Sequence, residues 1–268
     1  MNAAEAARYL AVLGVPRRPP GRDALAEVVS AHLQRVPFEN LSKLRRARAG
    51  RHGVPDLGEF LDGVEQFRFG GTCYTNNSHL NALLTHLGYD AVLCGAEMSR
   101  PDVHLVNLVR LDGREYLVDG GYGAPFLEPM PSDLDRDLEW SLGRERFVLQ
   151  PRNGEGRSRM LLYRDGQHRH GYLVNPVPRA LSHFDGVIEQ SFAPDSTFMK
   201  RVTYIRFAPG RSWILQNLNL LEFEGAASRT SRLEPDQLPA ALEGVFGVPG
   251  AIARETLEGF PVPDGVWE

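Results

Sequence analysis

The stretch HLVNLVRLDGREYLVDGGYG, residues 104–123, decides the fold. Two runs rich in Val, Leu and Tyr flank Asp112-Gly113, a dipeptide suited to a tight hairpin turn with both central residues left-handed. With a two-residue loop, His104 faces Gly121 and Val106 faces Asp119. Side chains alternate with a period of two, so His104, Val106 and Asp119 share one face, His104 diagonal to Asp119 at roughly 7–8 Å between backbones. A four-residue loop keeps that register, whereas a three-residue loop puts His104 and Asp119 on opposite faces.

Upstream of the hairpin the period is helical. After Asp23, apolar residues recur at Leu25, Val28, Val29, Leu33 and Val36 until Pro37 stops the run. A second amphipathic run, from Asp56 through Leu57, Phe60, Leu61, Val64 and Phe67, is read as ending at Gly70-Gly71. Thr72 and Cys73 follow, then Leu80, Leu83, Leu84 and Leu87 at helical spacing until Gly88, so Cys73 opens a helix. Residues 91–97 and 103–109 read as strands, as do Phe147–Leu149, Met160–Tyr163, Val202–Phe207 and Trp213–Phe223. The Pro- and Gly-containing stretch 125–144 is read as joining a first sheet to a second, His168 and His170 as flanking a polar turn, and Pro235–Leu257 as helical. Helices, then mainly antiparallel strands, then helices predict an α+β fold.

Composition narrows the function. Among 268 residues, 30 Lys and Arg stand against 34 Asp and Glu, a net charge of -4, and only Arg45, Arg46, Arg48 and Arg51 cluster. That argues against a nucleic-acid partner, and the cluster is read as a solvated loop. Hydrophobic residues at 42% and charged residues at 24% are ordinary globular usage and exclude disorder. No apolar run reaches the roughly 18 residues of a membrane span and the start lacks a leader pattern, so the expectation is no membrane partner and a cytoplasmic location. Two cysteines make neither a disulfide framework nor a zinc site, and no histidine pair has a carboxylate at metal-site spacing, so no metal is expected.

The chemistry therefore turns on Cys73. A thiol at a helix N-terminus has its thiolate favoured by the macrodipole and by free backbone N–H groups. His104 could take its proton, and Asp119 could hold the imidazole's tautomer, which makes Cys73, His104 and Asp119 a nucleophile–base–carboxylate triad. Gly70 and Gly71 would let a substrate approach without meeting a β-carbon. Singly, a Cys is usually a small buried hydrophobe, a strand His a structural residue, and an Asp before Gly-Gly a turn residue. Jointly, a hairpin that presents His and Asp on one face beside a helix-opening Cys exceeds what turn chemistry requires. Cys94, in Val92-Leu93-Cys94, reads as core.

At these residues the sequence resembles the arylamine N-acetyltransferase family. Phe69-Gly70-Gly71-Thr72-Cys73-Tyr74-Thr75-Asn76-Asn77 is similar to the family's Arg-Gly-Gly-x-Cys-x-Glu-x-Asn, and Val36-Pro37-Phe38-Glu39-Asn40-Leu41 to its Pro-Phe-Glu-Asn segment. The strands carrying His104 and Asp119, and Ser191–Phe198, are similar to further family segments in the same order. The resemblance implies a helical bundle over residues 1–88 carrying the nucleophile, an antiparallel β-barrel-like domain over 89–190 carrying His and Asp, and a C-terminal α/β lid over 191–268, around a cysteine-protease-like Cys-His-Asp core.

It also implies ping-pong acyl transfer. Cys73 takes an acyl group from acetyl-CoA or another acyl thioester and passes it to an arylamine or hydrazine-like amine, with no cofactor bound permanently. His104 serves as base for the thiol and then assists proton transfer at the amine. Phe38, Thr72, Tyr122, Gly123 and Phe198, with Gly70 and Gly71, are the expected substrate and co-substrate contacts. Relatives that form amides in natural-product assembly imply an acyl carrier protein as alternative donor, with Arg45–Arg51 as its docking patch. A thiol hydrolase or transglutaminase-like enzyme with the same triad, and a non-catalytic binding module, are the other readings. Phe69 replaces the family's Arg and Thr75 its Glu, with Arg68 positioned to compensate, and the 31-residue step from Cys73 to His104 implies a trimmed loop near the acceptor pocket.

Overall fold

The structure, a computed structural model, describes residues 1–225 and 227–265. Residues 226 and 266–268, within the span expected for the lid, lie outside the described residues. The chain opens with helices α1 (Ala3–Leu13) and α2 (Arg22–Arg35), a short strand β1 (Phe38–Glu39), and helices α3 (Leu41–Arg48), α4 (Leu57–Asp62) and α5 (Cys73–His86). Asn2 and Glu5 form a capping box on α1, and Asp56 caps α4 by accepting from the Glu59 N–H. A π-helical turn, Gly63–Phe67, extends α4 and ends at Arg68 in the left-handed region, so Arg68, not Gly70-Gly71, terminates that run.

Thr72 precedes α5 without a side-chain cap. Packing anchors the helix instead. Leu80, Leu83 and Leu84 are fully buried, about 1.5–3 kcal/mol each, against about 1 kcal/mol for the missing cap. The first turn of α5 thereby keeps backbone donors uncommitted to a capping side chain.

Strands β2 (Asp90–Glu97), β3 (His104–Leu111), β4 (Arg114–Val118), β5 (Met130–Pro131), β6 (Leu138–Leu142), β7 (Glu145–Gln150), β8 (Arg159–Arg164) and β9 (Gln167–Pro178) form one antiparallel sheet, ordered β5-β4-β3-β2-β9-β8-β7-β6. Asp112 and Gly113 both have positive φ, and the β3–β4 register pairs Leu111 with Arg114 and Asn107 with Val118, as a two-residue loop requires. One face of the sheet curls around a core in which Val106, Leu108 and Leu117 meet Phe147, Leu149, Met160 and Tyr172. The opposite face turns Leu105 and Val109 toward the helices, and α5 lies across β2 and β3.

Three sequence expectations change here. Residues 125–144 do not link two sheets, because they supply β5 and β6 on opposite edges of the same one. The single run Trp213–Phe223 is a hairpin of β11 (Arg211–Gln216) and β12 (Asn219–Glu224), turned at left-handed Asn217. His168 and His170 lie on β9, the turn falling earlier at Asp165-Gly166.

After helix α6 (Asp185–Gln190), strand β10 (Thr203–Ala208) starts a second antiparallel sheet, ordered β1-β10-β11-β12-β13 with β13 (Ala227–Arg232) at its edge. Phe38 pairs with Ile205 and Glu39 with Tyr204, so a strand from the N-terminal third completes the C-terminal sheet. Helices α7 (Leu238–Ala241) and α8 (Gly250–Leu257), with the π-helical turn Leu242–Phe246 between them, cover it through Leu238, Leu242, Phe246 and Ala253. Among the described residues, no helix is long and apolar enough to cross a membrane.

Candidate active site

Cys73 is the first residue of α5, and His104 the first of β3, with its imidazole in hydrogen-bonding reach of the Cys73 thiol. His104 Nε2 donates to Asp119 Oδ2 at 2.8 Å. All three side chains are buried. The same carboxylate accepts from Tyr172 Oη (2.8 Å), Asn77 Nδ2 (2.9 Å) and the Gly121 N–H (2.9 Å). Asn77, one turn along α5 from Cys73, also donates to the Leu105 carbonyl (2.6 Å) and accepts from the Gly120 N–H (2.8 Å). One buried amide thus ties the thiol's helix to both strands of the hairpin. A β-carbon on Gly121 would lie 2.5 Å from Cys73 Cα, which explains the glycine there.

Burial disfavours charge on His104, but the Asp119 charge and hydrogen bond, with the Cys73 contact, outweigh it and raise the imidazole to about 10. Burial likewise pushes the Asp119 carboxyl up, but the His104 charge and its other donors bring it below its ordinary value. The stability linked to the pair has a definite window. The His104 part is complete below its unfolded pKa of about 6.5 and is lost as pH rises toward the folded value; the Asp119 part is present above about 3.9 and is lost as pH falls through the depressed value. The melting-temperature gap between the native protein and His104→Gln should therefore be widest near about pH 5–6 and narrow toward pH 9. A gap constant across that range would rule out this coupling.

The three residues adjoin a cleft of about 650 Å³, within the range of small-molecule sites. Cys73, His104, Tyr122, Phe38 and Phe198 line it, with Arg159 and Arg201 among its cations and Glu97 as its carboxylate. Gly70, Gly71, Thr72 and Gly123 do not line it. Gly70 and Gly71 serve packing rather than substrate approach: a β-carbon on Gly70 would sit 2.1 Å from the Pro37 carbonyl oxygen, and one on Gly71 2.6 Å from Thr75 Cβ. Gly123 has positive φ and abuts Ile205 and Phe38.

Glu39, fully buried, accepts from the Gly70 N–H (3.0 Å) and from Ser42 through its N–H (3.0 Å) and hydroxyl (2.6 Å). Burial raises its carboxyl despite these donors. Among the described residues no ion pair joins Arg68, expected to compensate for Phe69, to Glu39; its carbonyl accepts from Tyr204 Oη, and Phe69 is buried against Phe67 and the C-terminal core. The arginine cluster also differs from its reading as a loop. It lies largely on α3, where Arg46 and Arg51 pair with Glu59, Arg45 pairs with Glu255, and Arg48 donates to carbonyls at the end of α8.

Cys94 points into the sheet's core and burial pushes its thiol up to about 12. Sequence reasoning gave no role to Tyr172 or Asn77 and set His170 aside in a polar turn. The signal for Asn77 was present, since two consecutive amides within a turn of Cys73, on a helix buried through Leu80, Leu83 and Leu84, need buried partners. For Tyr172 and His170 there was none, because β9 reaches the site only through pairing with β2 and β8. Among the described residues, no group of three His, Cys, Asp or Glu side chains could hold a metal.

With this geometry in view, comparison with known proteins places the chain. A family model described as N-acetyltransferase matches residues 23–253, and the chain belongs to the arylamine N-acetyltransferase family. The pineal gland isozyme NAT-3 of Gallus gallus, an arylamine N-acetyltransferase, is 34% identical over 139 residues, 48% of this chain and 47% of the relative. Proansamycin X synthase of Amycolatopsis mediterranei strain S699 is 38% identical over 120 residues, 40% of this chain and 44% of the relative. The chain spans about half the length of the curated relatives it matches. The Nocardia farcinica arylamine N-acetyltransferase superposes with a TM-score of 0.79 at 28% identity, covering 95% of this chain and 93% of that one. The Mycobacterium marinum enzyme in complex with CoA, at 21% identity, shares the fold with a TM-score of 0.79 over 95% and 99% of the two chains.

Proposed function

We propose that the protein is an acyltransferase that carries an acyl group, acetyl from acetyl-CoA in the first instance, through a thioester on Cys73 to an amine. The observation that carries this reading is the placement of Cys73 at the head of α5, against the buried His104–Asp119 pair and open to the cleft. In the first half-reaction the Cys73 thiolate attacks the thioester carbonyl, and the C–S bond to coenzyme A breaks with its electrons on the departing sulfur. His104 holds the proton that left Cys73, and Asp119 holds His104. Backbone N–H groups at the start of α5 face the developing oxyanion. Arg159 and Arg201 suit the phosphates of the donor, and Phe38 and Phe198, edge to face at 5.7 Å, suit an aromatic acceptor. The departing sulfur takes the proton from His104; the amine then attacks the thioester, passes a proton back to His104, and the C–S bond to Cys73 breaks to regenerate the thiolate.

An amide synthase acting on a carrier-bound acyl chain is the second reading, favoured by the 38% identity to proansamycin X synthase. The arginines once read as a docking patch are engaged within the protein, which weakens it. Intact-mass measurement after mixing with acetyl-CoA tests both. One added acetyl group, absent in Cys73→Ala, is expected. An adduct only with longer acyl thioesters selects the second reading, and no adduct with any thioester overturns both. Peptide or amide cleavage without a thioester donor would make the protein a thiol hydrolase.

A further inference from the structure

Asn40 stands at the N-cap of α3, yet its side chain makes no capping hydrogen bond there. An asparagine in that position ordinarily accepts from the first N–H groups of its own helix. Glu39 does so in its place, accepting from the Ser42 N–H at 3.0 Å. The Asn40 amide, fully buried, turns instead to the segment that follows α6. Its Nδ2 donates to the Phe198 carbonyl (2.7 Å) and to the Arg201 carbonyl (2.6 Å), and its Oδ1 accepts from the Thr203 N–H (2.8 Å).

Those partners bracket a piece of the cleft wall. Phe198 and Arg201 both line the cleft that holds Cys73 and His104, with Phe198 on a 3₁₀ turn, Thr197–Met199. The Phe198 ring meets Phe38 of β1 edge to face at 5.7 Å. Residues 197–201 are exposed or half-buried, so apolar burial alone does not fix the turn. Hydrogen bonds fix it. Asn40 takes two of its carbonyls, and Asn217 secures the residue after it, accepting from the Val202 N–H at 3.0 Å and donating its own N–H to the Val202 carbonyl at 2.7 Å.

Resting on the acyl-transfer reading above, we propose that Asn40 is a positioning residue for the acceptor: by gripping the Phe198 and Arg201 carbonyls it holds the Phe198 ring against Phe38 and so sets the cleft's preference for an aromatic amine over one without a ring. Its side-chain hydrogen bonds go to this wall and, among the described residues, none goes to Cys73, His104 or Asp119. Asn40→Asp keeps the side chain's shape but puts a carboxylate oxygen where the NH₂ stood, facing two carbonyl oxygens that offer it no proton. The turn then loses its hold, and the Phe198 ring leaves its place beside Phe38. An amine without a ring gains nothing from that contact and loses nothing with it.

The test compares the native protein with Asn40→Asp, Asn40→Ser, Phe198→Ala and the double variant Asn40→Asp, Phe198→Ala. Cys73 is acetylated with acetyl-CoA, the acetyl-enzyme is isolated, and its aminolysis by aniline and by hydrazine is followed in single turnovers. In Asn40→Asp and in Phe198→Ala, aminolysis by aniline should fall at least about fivefold, the scale of one aromatic contact, while aminolysis by hydrazine stays within about twofold of native. Asn40→Ser, which still donates to one carbonyl, should fall in between. Because Asn40 acts through Phe198, Asn40→Asp should remove no further ring preference once Phe198 is alanine. A merely structural role would slow both amines alike. Equal loss with the two amines, unchanged preference in Phe198→Ala or in a folded Asn40 variant, additive effects in the double variant, or unfolding of both single Asn40 variants overturns the proposal. Failure of the native protein to form any acyl-enzyme overturns the acyl-transfer reading instead.

Discussion

Asp119→Asn should lower the rate of Cys73 acylation by about 10⁴-fold, the loss typical when the carboxylate orienting a catalytic imidazole becomes an amide. Here Asp119 Oδ2 faces His104 Nε2 and Tyr172 Oη, while Oδ1 faces Asn77 Nδ2 and the Gly121 N–H. Each oxygen therefore meets two donors. Whichever way the new amide turns, its NH₂ confronts groups that donate. Turned toward His104, it forces the imidazole into the tautomer that presents N–H to Cys73; turned the other way, it breaks the tie between α5 and the hairpin. The lost partner of a buried charged pair also costs about 3–5 kcal/mol of stability. Single-turnover acylation with denaturant unfolding on the same samples measures both effects. A fall of less than tenfold in a fully folded variant would remove Asp119 from the triad.

Gly70→Ala should be the other severe change, although Gly70 does not line the cleft that holds Cys73 and His104. The added β-carbon would lie 2.1 Å from the Pro37 carbonyl oxygen and 3.0 Å from Val36 Cγ1. Backbone cannot yield as a side-chain tip can. This is where the nucleophile loop is fastened to β1: the Gly70 N–H donates to Glu39, Glu39 N donates to the Gly71 carbonyl at 3.1 Å, and Phe38 bridges to Gly71. Overpacking against fixed backbone stands at the upper end of about 1–3 kcal/mol, or about 5–10 °C in melting temperature for a chain of this size. Cys73 is three residues on, so acylation should drop as well. Thermal melting and acylation rates decide the matter, and a variant with native melting and native rate would show that the loop relaxes freely. Gly50→Ala offers a comparison, because no atom stands within 4 Å of its added β-carbon, although its positive φ adds some strain.

The parts of this protein legible in the sequence are those set by local chemistry. Asp112-Gly113 selects a two-residue turn, the turn selects the register, and period-two alternation then puts His104 and Asp119 on one face, where they meet at 2.8 Å. The leucines after Cys73 likewise dictate a helix beginning at the thiol. β9 escaped the same reading: its first half is polar, two prolines interrupt its second half, and its pairing shifts beside Leu162. Its position depends on β2, more than seventy residues earlier, so no local pattern placed His170 or Tyr172.

The glycines teach the same point from the other direction. Gly70-Gly71 beside a reactive thiol suggests room for a substrate, yet each is small because a distant or neighbouring part of the chain presses on it. The arginines of α3 suggest a docking patch, yet acids on α4 and α8 engage them. By itself the sequence determined the broad succession of helices, antiparallel strands and helices, the hairpin register, the inequality of Cys73 and Cys94, and the likeness to a family. The tertiary structure alone decided which groups surround Asp119, what the glycines accommodate, where the arginines point, and that Asn40 meets the turn carrying Phe198. Turn chemistry and side-chain alternation act over a few residues, whereas those placements rest on strands and helices that meet only when the chain is folded.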